Sequence, residues 1–181
     1  IDMAQAYAVI ANGGFLVPAR IINQVTDQDG DIVFLPERTE AFSRASSENS
    51  TNLIEKDELN PLYPMSKPAP RVLDKRNSFI VDSMLQDVIQ KGTGRRARSL
   101  KRSDLAGKTG TTDDAQDTWF NGYNSAIVAT VWVGFSDQAP LGQNAYGSNI
   151  PLPIWIDFME DALKDTPEKK RPIPAGIERI Y

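Results

Sequence analysis

Lys108-Thr109-Gly110-Thr111 sets a cation, two hydroxyls and a position without a side chain on consecutive residues. On an extended strand side chains alternate, so Lys108 and Gly110 share one face and Thr109 and Thr111 the other. Lys108 offers a compact positive charge that can hold a neighbouring hydroxyl network in a chosen protonation state. Thr109 and Thr111 bring hydroxyls able to bind a carboxylate. Gly110 lets a second extended chain approach the backbone, and a strand of this kind is a natural dock for a peptide added as an extra strand. The strand is followed closely by a second, aromatic-rich one, Asp117-Thr118-Trp119-Phe120-Asn121-Gly122-Tyr123.

Around these residues the sequence lays out elements that must hold them. Met3, Tyr7 and Ile10 fall at helical spacing over 1–11, and Asn12-Gly13-Gly14 stops the helix. Residues 20–26 and 31–35 read as strands flanking an Asp29-Gly30 hairpin turn. Residues 36–71 read as a long, partly mobile surface excursion, in which Pro61, Pro64, Pro68 and Pro70 forbid regular ladders. The spacing predicts a helix over 75–91, with Ile80, Val81, Met84, Leu85 and Val88 as its apolar stripe, Lys91 in the last turn and Gly92 as its stop. Strands follow at 104–112, 117–123 and 126–135. Their short connections make them antiparallel neighbours, with Lys108 to Thr112 on an edge. The apolar run Ile127 to Val133 reads as covered on both faces. Pro151 or Pro153 opens a last helix that buries Trp155, Phe158, Met159 and Ala162. Residues 167–181, with Pro167, Pro172 and Pro174, are expected to be extended. The expected division is therefore 1–35, 36–71, 72–166 and 167–181.

Composition removes whole classes of chemistry. The chain has no cysteine and no histidine, which excludes disulfides, thiol nucleophiles, serine–histidine triads and the usual zinc sites. No Asp/Glu spacing resembles a calcium loop. A net charge of −4 on 181 residues does not suit a polyanion binder. No apolar run approaches the ~20 residues that cross a bilayer, so an anchor, if the parent has one, is expected outside this chain. Both ends read as cuts, Ile1 opening a helix without a cap and Tyr181 closing an apolar segment.

Other clusters read as structural. Gly107-Lys108-Thr109 is no phosphate loop, since that motif requires glycine where Arg102 stands. The basic run Arg95 to Arg102 lacks interleaved aromatics and reads as a solvated surface segment, with no nucleic-acid partner. Asp113 and Asp114 suit a turn, with Asp117 bracing the next strand. Trp119, Trp132 and Trp155 lie on apolar stripes and are expected in the core.

Met3-Ala4-Gln5-Ala6-Tyr7-Ala8, Ala11-Asn12-Gly13-Gly14, Ser83 to Val88, Gly92-Thr93-Gly94, Ala106 to Thr112, Asp117 to Tyr123 and Val131 to Phe135 occur in the order found in class A penicillin-binding proteins. The chain resembles these bifunctional peptidoglycan synthases, of the Gram-negative 1a type, over most of its length and least over 36–71. The resemblance implies an α/β (α+β) fold, an antiparallel sheet flanked by helices. The chain would be the C-terminal part of a serine β-lactamase-like transpeptidase domain, at the periplasmic face of the bacterial inner membrane. It implies acyl transfer: a serine attacks the D-Ala-D-Ala bond of a stem peptide, and an amine resolves the acyl-enzyme. Lys108 would be the lysine of the third active-site motif. Thr109 and Thr111, with Gly110 between them, would bind the terminal carboxylate of the stem peptide or of a β-lactam. The backbone N–H of Thr111 would form half of the oxyanion hole. No metal or organic cofactor is implied.

The chain departs from that pattern at the first two active-site motifs. The nucleophile motif Ser-x-x-Lys is absent. Ser47-Glu48-Asn49 matches the second motif literally but lies in the Ser-rich excursion, whereas the family places that motif ahead of the first helix. The chain alone is therefore expected to be inactive, its partner being the remaining half of the domain. A β-lactam-hydrolysing enzyme and a non-catalytic peptide-docking module are the alternatives.

Overall fold

The computed structural model describes residues 1–41 and 67–178. Ser47 and residues 42–66 of the expected 36–71 excursion fall outside the described residues. The first helix, α1 (Asp2–Ala11), ends where the Asn12 side chain takes over from the helix ladder. Its Oδ1 accepts from the N–H groups of Gly14 and Phe15, and its Nδ2 donates to the Phe15 carbonyl. Gly14, at φ +107°, then turns its carbonyl toward the N–H groups of Val72 and Leu73 at 2.8 and 3.1 Å. That joint ties the end of α1 to the entry of α2 (Lys75–Gln90).

The hairpin at Asp29-Gly30 forms, but its strands are short: β1 (Val25–Thr26) and β2 (Ile32–Phe34). Residues 20–24 stay exposed, Ile21 at 85%, with no sheet among the described residues to extend onto. Inside the proline-rich segment a pairing exists that was not expected. β3 (Thr39–Glu40) pairs in parallel with β4 (Lys67–Pro68). Pro68 is tolerated because its neighbours do the donating, Lys67 N–H to Arg38 and Ala69 N–H to Glu40, both at 2.8 Å.

Asp74 caps α2 by accepting the Arg76 N–H. The face that α2 buries differs from the expected stripe. Ser78, Asp82 and Ile89 are buried, whereas Ile80 is 45% and Met84 65% exposed. Asp82 is drawn inward by the Tyr123 hydroxyl and Arg171, and this sets the rotation of the helix. The first part of the basic run becomes a 3-10 helix, Arg95–Leu100, with its arginines in solvent and Ala97 buried, whereas Arg102, expected at the surface with them, is drawn in by Asp104 and is only 13% exposed.

The central sheet has strand order β5-β6-β7, with β5 (Ala106–Thr111), β6 (Asp117–Tyr123) and β7 (Val128–Gly134) antiparallel. The expected edge position of β5 holds. The most apolar strand, β7, is the other edge; none of its residues is fully buried, and Trp132 is 47% exposed. Helices nonetheless pack on both of its faces, the last helix (Pro151–Ala162) on one and α1 on the other, as its composition implies, and Trp132 is its one exposed residue.

α3 (Pro151–Ala162) begins at Pro151 and buries Leu152, Trp155 and Met159. Phe158, expected inside, is 52% exposed, because the inward row runs Leu152-Trp155-Met159 and continues to Leu163. The core joins these residues to Ile89, Ala97, Leu105 and Phe120. Trp155 meets Phe120 edge-on at 5.0 Å and lies against Gly122, where an added Cβ would be 2.6 Å from its ring. α1 covers the opposite face, Tyr7 meeting Tyr123 at 6.4 Å. The arrangement is a helix-flanked antiparallel sheet. After α3 the chain runs extended, and its Glu168 to Arg171 stretch straps across the molecule. Glu168 holds Ser103, the Lys169 N–H reaches Asp104, and Arg171 reaches both Asp82 and the Ala11 carbonyl.

Candidate active-site strand

The register of β5 fixes which of its backbone groups face away from β6. Thr112 N–H donates to the Asp117 carbonyl at 3.0 Å. The same register pairs Gly110 with Trp119 and Lys108 with Asn121. In an antiparallel ladder every second residue points its N–H and C=O at the partner. Gly110 and Lys108 therefore bond to β6, while Thr109 and Thr111 turn theirs to the open edge.

The side chains follow the alternation expected from sequence. Lys108 is exposed and folds back, its Nζ donating to the Thr109 carbonyl at 2.7 Å and lying 3.4 Å from Thr109 Oγ1. On the other face, Thr109 Oγ1 is 2.7 Å from Thr93 Oγ1. Thr111 Oγ1 accepts the Gly147 N–H at 3.1 Å. Gly147 packs directly on the strand backbone. A Cβ there would be 2.6 Å from the Trp119 carbonyl oxygen and 2.7 Å from that of Gly110. The room that Gly110 leaves on its own face is taken by Trp119, whose Cβ would stand 3.2 Å from a Cβ added to Gly110. Access to this strand therefore runs along its edge.

The acidic residues nearby are structural. Asp113–Ala115 forms a short 3-10 turn, with Asp114 and Ala115 left-handed. Asp117 braces the sheet by accepting the Trp132 Nε1–H at 2.7 Å. That bond tethers Trp132 at the surface beside Trp119, with ring centroids 6.1 Å apart, so of the three tryptophans only Trp155 is in the core.

Sequence reasoning missed a second polar cluster at the far end of the sheet. The Tyr123 hydroxyl donates to Asp82 at 2.8 Å, Gln86 donates to the other Asp82 oxygen, and Arg171 lies 3.8 Å away. Burial pushes the Asp82 carboxyl up despite these partners, and burial beside Asp82 pushes the Tyr123 phenol up strongly. Beside them Arg102 grips Asp104 through two hydrogen bonds of 2.9 and 2.8 Å. Burial works against the Asp104 charge, but Arg102, the Lys169 N–H and Asn124 outweigh it and hold the carboxyl below its ordinary value. The cluster walls a cavity of about 160 Å³. Its only trace in the sequence is Asp82 within an otherwise apolar helix stripe.

The sequence profile of the penicillin binding protein transpeptidase domain matches residues 1–160. The chain belongs to the penicillin-binding protein transpeptidase family. Penicillin-binding protein 1A of Pseudomonas aeruginosa is 40% identical over 98% of this chain and 24% of its own length. That of Neisseria lactamica is 36% identical over 98% of this chain and 19% of its own. The crystal structure of penicillin-binding protein 1A from Haemophilus influenzae superposes with a TM-score of 0.79 at 32% identity, over 96% of this chain and 28% of that one. The chain thus spans roughly a fifth to a quarter of the length of these curated relatives. Among the described residues no helix is long and apolar enough to cross a membrane.

Proposed function

We propose that this chain is part of a D,D-transpeptidase of peptidoglycan synthesis, working at the periplasmic face of the inner membrane and inhibited by β-lactams. In this reading β5 binds the stem peptide along its open edge. Thr109 and Thr111 hold the terminal carboxylate, with Gly110 keeping the strand backbone approachable between them. The Thr111 N–H takes up the oxyanion, and Lys108 supplies the positive charge beside the reacting serine. That serine is contributed from outside these 181 residues. Residues 1–35 and 72–166 build the domain part, 36–71 an excursion from it and 167–181 an extended segment. The observation that carries the reading is the coincidence, on one exposed strand end, of two edge-facing amides, two hydroxyls and a lysine.

The division of labour is tested by mass spectrometry. The 181-residue chain, incubated with benzylpenicillin, is expected to show no covalent adduct. A polypeptide joining it to a Ser-x-x-Lys segment is expected to acylate. A stable penicilloyl adduct on any serine of this chain overturns the reading.

A further inference from the structure

Thr93 was given no role by the sequence, yet its hydroxyl makes a short contact to the candidate strand, 2.7 Å from Thr109 Oγ1. It sits in the Gly92-Thr93-Gly94 turn that leaves α2. Gly92 and Gly94 press on the last turn of that helix so closely that an added Cβ would lie 3.0 Å from Val88 and 3.3 Å from Ile89 respectively. Their N–H groups both bond the Val88 carbonyl at 3.0 Å. Thr93 is thus held between two fixed points, with its hydroxyl exposed at the rim of the strand.

A threonine hydroxyl has one proton to give and two lone pairs to receive with. Thr111 Oγ1 receives from the Gly147 N–H, so its proton is left for a ligand. Thr109 reaches the same state only if Thr93 is the donor of their pair. The Lys108 ammonium, 3.4 Å away, also only donates. With Thr93 and Lys108 filling its lone pairs, Thr109 can offer nothing but its proton.

We infer that Thr93 is a positioning residue of the carboxylate site, donating to Thr109 Oγ1 and thereby committing the Thr109 proton to an acceptor-only ligand group. This rests on the proposed function of β5 and adds the device that sets its polarity. A Thr109 hydroxyl left only its proton to give, beside the free proton of Thr111, favours a carboxylate over an ester, amide or hydroxyl in the same place, since a charged acceptor takes a stronger hydrogen bond.

The test compares benzylpenicillin with its methyl ester on the chain joined to a Ser-x-x-Lys segment, reading the acylation rate of each. The Thr93→Val variant is expected to lose about 3- to 10-fold of the preference for the free acid, the effect of one hydrogen bond, while the ester rate stays within about twofold. Thr93→Ser is expected to restore the preference. Thr93→Ala, which drops the hydroxyl without a second branch, is expected to match Thr93→Val and keeps the question open to measurement should valine disturb the turn. Equal slowing of acid and ester in both variants, or an unchanged preference, overturns the role of Thr93. Wild-type protein that does not prefer the acid at all instead overturns the carboxylate reading of Thr109 and Thr111.

Discussion

Replacing Gly147 by alanine tests how the loop after β7 holds the candidate strand. Its φ is outside the left-handed region, so alanine costs nothing in backbone conformation and the effect is one of space. The new Cβ would lie 2.6 Å from the Trp119 oxygen, 2.7 Å from the Gly110 oxygen and 3.0 Å from the Gly110 nitrogen, against the 3.4 Å at which ordinary contact starts. All three atoms belong to the backbone of a paired ladder, and none can swing aside. The loop must therefore lift by about 0.8 Å at its closest point, and the 3.1 Å bond from the Gly147 N–H to Thr111 is lost. Strain of about 1–3 kcal/mol plus a hydrogen bond of about 0.5–1.5 kcal/mol gives a destabilisation of roughly 2–4 kcal/mol. For a chain of this size that lowers Tm by roughly 4–16 °C. Calorimetry reads the shift, and hydrogen exchange of the backbone amide at the substituted position reads the broken bond. Thr111→Val breaks the same bond from the other side, so the double variant should fall short of the summed single effects. A Tm within about 1 °C of wild type, or full additivity, would refute the reasoning.

Two further outcomes are expected. In an acylation-competent form, Thr111→Val keeps a β-branched strand residue but loses a hydrogen bond to the ligand carboxylate. Acylation by penicillin should slow roughly 10- to 100-fold, and Lys108→Ala should slow it further; a wild-type rate for Thr111→Val removes Thr111 from the site. The buried carboxyls should give stability opposite pH slopes. The Asp104 carboxyl is depressed when folded, so its contribution is complete above the ordinary value of 3.8 and is lost as pH falls through its folded value. The Asp82 carboxyl is raised, so stability is greatest below 3.8 and declines as pH rises through its folded value. In urea melts across pH, Asp104→Asn should reduce the acid-side loss and Asp82→Asn the decline at higher pH; a profile unchanged by either refutes the assignment.

What could be read from sequence was what local chemistry decides. Gly92 ends α2, Gly30 marks the hairpin, and the short links between β5, β6 and β7 dictate antiparallel order. The candidate strand was visible because Lys108, Thr109, Gly110 and Thr111 are contiguous. What escaped depends on partners distant along the chain. Apolar periodicity placed Ile80 and Met84 inward, but Tyr123 and Arg171 draw Asp82 into the interior and turn the helix. Trp132 looks like a core residue until Asp117 is seen holding its indole at the surface. The groups that lock Thr109 and Thr111 lie 16 and 36 residues away, and no local pattern signals them.

The strap from Glu168 to Arg171 also imposes an order in time. Arg171 reaches the Ala11 carbonyl across 160 residues. At a synthesis rate of roughly 5–20 residues per second, α1 waits roughly 8–32 s after it is made for its bond to the strap. From the time each is made, Asp82 has no guanidinium beside it until Arg171 follows, and Asp104 lacks the Lys169 amide until Lys169 does. The nascent chain must carry both carboxylates hydrated, with the sheet end open around them. Its final closure therefore waits for residue 171, and a ribosome stalled before it would hold a chain whose first helix still lacks its bond to the strap.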